Sequence, residues 1–273
     1  ESMARHQLDA IVAIGGEGTM GVVDDLHRDG VPVIGVPKTI DNDISETEMT
    51  FGFQTAVQIC SDAIDRLHTT AESHDRVLVV EVMGRHVGHI AVWAGIAGGA
   101  TIVLVPEEPF DLDDVAARIV SRHRHGSWAT IVVVAEGATP VPGTMVTPEP
   151  KVDRYGHQVL GGIGHLVASE IQHRTGIESR TTVLGHVQRG GSPVAFDRVL
   201  ATRFGIAAVD AVAEALRPGG SFGRMVALRS GSIVTVPVAD AIGHLKVVEP
   251  DLLRSVSILS APRDGGAAPV SEG

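Results

Sequence analysis

The sequence predicts an α/β fold built around a mostly parallel, doubly wound sheet. Short runs rich in Val, Ile and Ala lack period-two alternation, which is typical of strands buried on both faces. These runs are Ala10–Ile14, Val31–Val36, Val77–Val82, Thr101–Val105, Thr130–Ala135 and Thr181–Leu184. Segments with helical spacing of apolar residues lie between them, for example Phe53–Leu67 and Leu112–Val120. Alternating strands and helices favour parallel strands joined by right-handed crossovers.

Three other segments are consistent with an α/β fold, although they do not add further units to the alternation of strands and helices. Met225–Pro237 holds two β-rich stretches around a Ser-Gly pair, which predicts a local antiparallel hairpin. The uncharged stretch Ile90–Pro106 contains three glycines and ends in β-branched residues, so it predicts a helix and then a strand instead of a membrane span. The tail Arg263–Gly273, rich in Gly, Ala, Pro and Ser, predicts a disordered end.

Composition narrows the classes of function. The chain has 273 residues, of which 44% are apolar, so it can bury the core of one large or two medium domains. Its formal charge of −11 disfavours general binding to nucleic acid or to anionic membranes, so an anionic ligand would need a local site. The single cysteine, Cys60, excludes an intrachain disulfide and a cysteine-based zinc site. With no signal peptide in its opening residues, the chain is expected to be cytoplasmic.

The first candidate site follows the first strand, because ligands of such folds bind at the carboxyl ends of strands. The motif GGEGT ends the strand, and a helix is expected from about Gly21. Its glycines let backbone N–H groups approach a phosphate, and its carboxylate can hold Mg²⁺. The candidate residues are Gly16, Glu17, Gly18 and Thr19. The alternative is a plain turn in which glycine supplies a positive φ.

The second candidate site is the motif PKTIDND, which follows the strand Val31–Val36. Lys38 can neutralise a phosphate, Thr39 can position it, and Asp41 or Asp43 can accept a proton from an attacking hydroxyl. The alternative is a polar turn rich in Asp and Asn. Two neighbouring strand ends with phosphate-type chemistry favour the site over the turn.

Three further strand ends carry complementary groups. Arg85 follows the third strand and Arg189 the last, and each offers a planar fork of donors to a phosphate. His186 adds a donor, and Glu136 can accept hydrogen bonds from sugar hydroxyls. Singly, each has a plainer interpretation: a capping arginine, a surface glutamate or a packed histidine. Together they favour a site for a phosphorylated, hydroxyl-rich ligand. No grouping of His, Asp and Glu has the spacing of a metal site.

At these motifs the chain resembles the bacterial 6-phosphofructokinase family. The motifs are GGEGT (Gly15–Thr19), PKTIDND (Pro37–Asp43), VEVMGRHVG (Val80–Gly88), AEG (Ala135–Gly137) and ESRTTVLGHVQRGG (Glu178–Gly191). The resemblance implies two doubly wound, Rossmann-like domains with mostly parallel sheets. It also implies transfer of the γ-phosphoryl group of ATP, with Mg²⁺, to the 1-hydroxyl of fructose 6-phosphate.

The resemblance assigns a role to each candidate residue. Asp41 matches the general base, Thr39 and Lys38 lie beside the transferred phosphoryl, Arg85 stabilises its charge, and Asp43 supports the site. Glu17 matches the Mg²⁺ position, while Gly16, Gly18 and Thr19 line the donor phosphates. Met83, Gly84, Arg85 and Glu136 match residues around the sugar, and His186 and Arg189 match those around its 6-phosphate. Arg76 and Arg180 match arginines contributed by a neighbouring subunit, which implies a homo-oligomer, a dimer or tetramer.

Two positions bear on the phosphoryl donor. Lys38 resembles the residue that pyrophosphate-using relatives carry, but those relatives usually have Asp where this chain has Gly18. A carboxylate there would repel and crowd the α-phosphate of a nucleotide, so glycine favours ATP. Pyrophosphate is the alternative donor.

The resemblance also predicts how the chain divides. Residues 1–52 and 188–238 are expected to form a nucleotide domain, and residues 53–187 and 239–262 a sugar-phosphate domain. The family opens with a strand and a Gly-Gly-x-x-Pro-Gly-x-Asn turn before its equivalent of Ala10–Ile14, and only nine residues precede that run here. This difference predicts a nucleotide domain without its N-terminal part. A second hypothesis follows, in which the chain is an inactive fragment that binds a sugar phosphate, with weak ATP binding and little kinase activity.

Overall fold

The computed structural model describes residues 2–145, 152 and 160–260. The chain divides into two compact units: unit 1 comprises Glu1–Gln58 and Arg189–Val247, and unit 2 comprises Ile59–Gln188 and Val248–Gly273. The predicted disordered tail, 263–273, lies outside the described residues.

The secondary structure alternates as expected for an α/β fold. The helices are α1 (Ser2–His6), α2 (Glu17–Arg28), α3 (Phe53–His74), α4 (His89–Ala97), α5 (Leu112–Arg124), α6 (Ile163–Thr175), α7 (Ala195–Ala215), α8 (Val238–Ile242) and α9 (Pro250–Leu259). The strands are β1 (Ile11–Gly15), β2 (Val33–Thr39), β3 (Phe51–Gly52), β4 (Val77–Val82), β5 (Ile102–Leu104), β6 (Thr130–Ala135), β7 (Ser179–Val183), β8 (Arg224–Arg229) and β9 (Ser232–Pro237).

The sheet of unit 1 has the order β1-β2-β8-β9, and the short β3 pairs with the end of β2. β2 runs parallel to β1, β3 and β8, whereas β8 and β9 form an antiparallel hairpin. The hairpin predicted over Met225–Pro237 is thereby confirmed. Positive φ angles at Ser230 (48°) and Gly231 (76°) are those of a two-residue turn matching the right-handed twist of the strands.

Both faces of this sheet are covered by helices, as in a doubly wound fold. On one face, Met20 and Val23 of α2 pack with Val33 and with α8. On the other face, α7 packs Leu200 and Phe204 against Ile34 of β2 and against β8. Successive residues of β2 therefore enter different cores, which explains why its sequence is apolar without alternation.

β1 does not follow the expectation of burial on both faces. Ile11 and Ala13 pack against the α2 core, but Val12 is 39% exposed and Ile14 is 60% exposed. The cause is position in the sheet, because β1 is an edge strand and α7 packs over β2, β3, β8 and β9. The expectation was also wrong for β7, an edge strand of the other sheet, whose Val183 is 45% exposed.

Unit 2 contains a fully parallel sheet with the order β5-β6-β4-β7. All residues of β4 and β6 are buried, as their runs of β-branched residues predicted. α6 packs on β4 and β7, α4 packs on β5 and β6, and α9 packs on α4 and β5. In the part of the chain described, no helix combines the length and apolarity needed to cross a membrane.

The boundaries between the units differ from the predicted ones by one to nine residues. The divisions fall after residues 58, 188 and 247, compared with 52, 187 and 238 from the sequence. The largest difference concerns α8, which belongs to unit 1 because Val238 and Ala241 are buried in the core beside α2. The functions expected of the two domains stay predictions.

Candidate functional site

The first two motifs meet at the carboxyl ends of β1 and β2. These strands are parallel and in register, with Gly15 opposite Pro37, so GGEGT and PKTIDND leave the sheet side by side. A Cβ placed on Gly16 would lie 3.4 Å from the Cβ of Thr39. The structure therefore brings the predicted phosphate turn against the predicted catalytic loop.

α2 begins at Glu17, not near Gly21 as predicted. Gly16 is its N-cap residue, with extended backbone and no side-chain capping bond, so Glu17, Gly18 and Thr19 form the first helical turn. Glutamate is favoured in a first turn because it faces the positive end of the helix dipole. The N–H groups of that turn have no acceptor within the helix, which makes it a natural site for a phosphate.

Gly18 keeps this helix end open. It is exposed, and a Cβ placed on it would meet no atom within 4 Å. By contrast, a Cβ on Gly15 would lie 2.1 Å from the hydroxyl oxygen of Thr19, so Gly15 is required by packing. Gly18 is thus free of a packing role among the described residues, and a ligand can occupy the space beside it.

The side chains of Thr39 and Asp41 are joined in a buried pair. The Thr39 hydroxyl lies 3.2 Å from Oδ2 of Asp41 and donates to it, and the Asp41 N–H donates to the same hydroxyl at 3.1 Å. Thr50 supports the loop from behind, since its hydroxyl donates to the Thr39 carbonyl and its N–H donates to Oδ1 of Asn42. Asn42 has a φ of 54°, a conformation this support stabilises. The carboxylate of Asp41 is therefore held in one orientation.

Lys38 and Asp43 flank this pair differently. Lys38 is exposed between buried neighbours, so its ammonium group can reach a bound anion. Asp43 is only 7% exposed, and its carbonyl accepts a hydrogen bond of 3.0 Å from the N–H of Lys246. The backbone of the loop is thereby fixed at both ends.

In unit 2, the ends of the parallel strands β4 and β6 bring Arg85 and Glu136 together. The N–H of Arg85 donates to Oε1 of Glu136 at 3.1 Å. The turn is tight: Gly84 has a φ of 146° and Arg85 a φ of 54°. A Cβ on Gly137 would lie 2.0 Å from the Arg85 carbonyl oxygen, so glycine is required there. The Arg85 side chain is exposed, while Met83 is buried.

His186 and Gln188 lie on a single 3₁₀ turn, Gly185–Gln188, which is separated from the end of β7 by one residue. His186 is exposed, whereas Gln188 is 1% exposed. Gln188 makes hydrogen bonds to Met83, Cys60 and Gly185. Sequence reasoning gave Gln188 no role, since a glutamine next to Arg189 in a turn is expected to face solvent.

Arg76 and Arg180 lie at the opposite end of the same sheet. Arg76 precedes β4 and Arg180 is the second residue of β7, whereas Met83 and His186 follow these strands. Six residues of strand separate the two ends of β4, a distance of about 20 Å at about 3.3 Å per residue. One phosphate group cannot contact both ends of one sheet.

The two arginines share one carboxylate. Arg76 Nε donates to Glu178 at 2.8 Å, and Arg180 also donates to Glu178. The hydrogen bond from Arg76, followed by the charges of Arg76 and Arg180, lowers the pKa of Glu178. The cluster keeps a net positive charge at neutral pH and can accept an anion.

Arg189 is exposed and belongs to unit 1, where the segment after it is anchored by Asp197. Oδ2 of Asp197 accepts hydrogen bonds from the N–H of Thr55 at 2.8 Å and from its hydroxyl at 2.5 Å. The same hydroxyl accepts from the N–H of Val194, the N-cap residue of α7. The first turns of α3 and α7 therefore cap each other. Sequence reasoning missed this pair, whose members lie 142 positions apart.

A cation bound at the phosphate turn would take most of its coordinating oxygens from the bound phosphate compound and from water, not from protein side chains. Among the described residues, no group of three or more His, Cys, Asp or Glu side chains could hold a metal ion. Mg²⁺ fits this arrangement, since it keeps several waters and binds through one or two carboxylates together with substrate phosphates. Glu17 supplies one carboxylate in the first turn of α2.

Comparisons of the sequence with known proteins agree with the motifs. The family described as phosphofructokinase matches residues 1–212. A pyrophosphate--fructose 6-phosphate 1-phosphotransferase of Streptomyces coelicolor is 56% identical over 259 residues, which are 94% of this chain and 74% of that protein. An ATP-dependent 6-phosphofructokinase of Corynebacterium efficiens is 52% identical over 247 residues, 90% of this chain and 70% of that protein.

The fold agrees as well. A phosphofructokinase structure from Saccharomyces cerevisiae superposes with a TM-score of 0.72 at 33% sequence identity, covering 88% of this chain. This chain spans 33% of the length of that yeast chain. The predicted α/β class with mostly parallel, Rossmann-like sheets is confirmed.

Proposed function

The chain belongs to the phosphofructokinase family, and we propose that it transfers a phosphoryl group to the 1-hydroxyl of fructose 6-phosphate, which gives fructose 1,6-bisphosphate. The observation that carries this proposal is the buried pair of Thr39 and Asp41 against the open N-terminus of α2. A fixed carboxylate beside a phosphate-binding helix end is what transfer to a hydroxyl needs.

Unit 1 supplies the groups for transfer. Asp41 accepts the proton of the 1-hydroxyl as the hydroxyl oxygen bonds to the terminal phosphorus of the donor. The bond from that phosphorus to the bridging oxygen breaks, and the rest of the donor leaves, as ADP from ATP or as phosphate from pyrophosphate. Thr39 keeps the carboxylate oriented. The ammonium group of Lys38 and the first-turn amides of α2 stabilise the negative charge of the phosphates. Mg²⁺, when bound through Glu17 and the donor phosphates, would neutralise further charge.

Unit 2, together with Arg189, supplies the groups for the sugar phosphate. The exposed guanidinium of Arg85 stabilises charge on the transferred group, and Glu136 holds the Arg85 backbone. We assign the sugar to Met83, Gly84 and Glu136. His186 and Arg189, both exposed, are donors for the 6-phosphate.

We propose ATP as the phosphoryl donor. The support is Gly18, where a Cβ would meet no atom within 4 Å, so neither a side chain at this position nor a neighbouring atom crowds the phosphates of a nucleotide at the first turn of α2. Pyrophosphate is the second candidate, because relatives of both names are similarly close, at 56% and 52% identity. The exposed Lys38 would suit either donor.

The test measures fructose 1,6-bisphosphate formed from fructose 6-phosphate and Mg²⁺ with ATP or pyrophosphate at equal concentrations. We expect faster turnover with ATP. Faster turnover with pyrophosphate would overturn the choice of donor and leave the acceptor intact. Failure to form the product with both donors would overturn the proposed activity.

We infer that the 6-phosphate site is completed by a second copy of the chain. The support is the separation of about 20 Å along β4 between Arg76 and the residues after the strand. Arg76 and Arg180 can therefore serve a phosphate only at another site. Their shared partner Glu178 holds both side chains in place for that contact.

Mixing two inactive variants tests this inference. We expect Asp41→Asn and Arg180→Ala chains, mixed under conditions of subunit exchange, to recover part of the activity. One class of hybrid site would combine an intact base with an intact arginine. As the control, Arg180→Ala is introduced into Asp41→Asn, and the double variant mixed with Asp41→Asn should recover no activity. No recovery in the first mixture, with exchange verified by mass spectrometry, would contradict completion by a second copy.

A further inference from the structure

Gln188 is a buried amide that connects two segments of unit 2. Its Oε1 accepts from the N–H of Met83 at 3.1 Å and from Sγ of Cys60 at 3.2 Å, and its Nε2 donates to the carbonyl of Gly185 at 3.0 Å. A backbone N–H can only donate, so the contact with Met83 fixes which end of the amide is oxygen. The side chain therefore has one orientation.

The first segment is the turn after β4. The pairing of β4 with β6 ends at Val82, so the Met83 N–H lies beyond the ladder and is satisfied by Gln188. Two residues later, Glu136 accepts from the N–H of Arg85, whose φ is 54°. A left-handed arginine persists only where its surroundings hold it. Gln188 and Glu136 hold the turn from its two sides.

The second segment is the 3₁₀ turn that carries His186. The Gln188 side chain donates back to Gly185, the first residue of the turn, whose φ is 50°. This hydrogen bond joins the last residue of the turn to its first and so stabilises a short element whose other two residues, His186 and Val187, are exposed. The orientation of His186 therefore depends on the amide that also holds Met83.

We propose that Gln188 is a positioning residue, which couples the Met83–Arg85 turn to the His186 turn and thereby sets the affinity for fructose 6-phosphate. This rests on the proposed function, since both segments are assigned there to the sugar phosphate. Gln188 itself does not contact the substrate; it acts through the backbone of Met83 and Gly185.

Cys60 completes the arrangement as a donor. Burial raises the pKa of the Cys60 thiol to about 12, so the S–H remains protonated at neutral pH and can occupy the second acceptor position of Oε1. Without it, the amide oxygen would keep only the Met83 N–H. Cys60 thus offers a milder way to perturb the same contact than replacing Gln188.

The experiment measures the dissociation constant of fructose 6-phosphate by calorimetry, alongside thermal unfolding. We expect Gln188→Met, which keeps length but removes all three hydrogen bonds, to weaken binding by about tenfold. Cys60→Ala should weaken binding by several-fold, and Cys60→Ser, which restores a donor, should bind like the parent chain. Ile119→Ala, at a fully buried position of α5, is the control for a general loss of stability.

The outcomes separate positioning from simple support of the fold. Weaker binding in Gln188→Met than in Ile119→Ala, with rescue in Cys60→Ser, supports the proposal. Equal affinity in Gln188→Met and the parent chain, or an equal loss in Ile119→Ala, overturns it. If Gln188→Met does not fold, the two Cys60 variants decide, and identical affinities in both overturn the proposal. A parent chain that does not bind fructose 6-phosphate overturns the proposed function itself.

Discussion

Replacing Asp41 with Asn is expected to lower kcat for fructose 6-phosphate phosphorylation by about 10²–10⁴-fold, the usual contribution of a positioned general base. The amide keeps the size of the carboxylate and can still accept from the Thr39 hydroxyl, so the loop should keep its conformation. What is lost is the ability to accept the proton of the 1-hydroxyl. The affinity for fructose 6-phosphate, measured by calorimetry, should change much less than kcat.

A matched substitution separates the loss of this base from the loss of a negative charge in unit 1. Asp25 is an exposed residue of α2, so Asp25→Asn removes one charge at a position without an assigned role. Its kcat should match that of the parent chain. Near-normal turnover in Asp41→Asn would remove Asp41 from the role of base.

The positions of the candidate residues at strand ends could be predicted because the sequence patterns that mark a strand and its end are local. β-Branched runs give the strands, and residues that follow a parallel strand lie at one edge of the sheet. This logic placed GGEGT beside PKTIDND, and the register of Gly15 with Pro37 agrees with it. The same logic put Arg85 and Glu136 each at the end of a strand, but the sequence did not predict the pairing of β4 with β6 that brings them into contact.

Burial of whole strands was less predictable, because it depends on what covers each face. The sequences of β1 and β4 are similarly apolar, but Ile14 is 60% exposed and every residue of β4 is buried. β4 has strands on both sides, whereas β1 is an edge strand. The apolar run Ile11–Ile14 does not indicate whether its strand lies at the edge or in the centre of the sheet.

The buried residues that support the site through long-range hydrogen bonds could not be predicted from the sequence, because their burial also depends on tertiary packing. Gln188 meets Cys60 across 128 positions, and Thr55 meets Asp197 across 142. Their residue types are ordinary in turns and first helical turns, so neither position has a local pattern that marks it as buried. Only the packing of α3 against later parts of each unit reveals them.

Replacing Gly18 with Asp is expected to raise the KM for ATP by about a thousandfold. A carboxylate about 4 Å from a phosphate charge costs about 4 kcal/mol at an effective dielectric constant of about 20. Steric strain should add little, because a Cβ at this position meets no atom within 4 Å. The measurement is the KM for ATP and for pyrophosphate in the parent chain and the variant.

Gly18→Asn separates the effect of charge from the effect of size, since asparagine has nearly the size of aspartate without its charge. If repulsion is the cause, Asn should raise the KM for ATP far less than Asp, and added salt should reduce the difference between them. Pyrophosphate lacks an α-phosphate and a nucleoside, so Asp should impair its use less and shift the preference of the variant toward it. Equal losses in the Asn and Asp variants would mean that space, not charge, selects the donor at Gly18. No loss of ATP affinity in either would contradict the binding of a nucleotide at the N-terminus of α2.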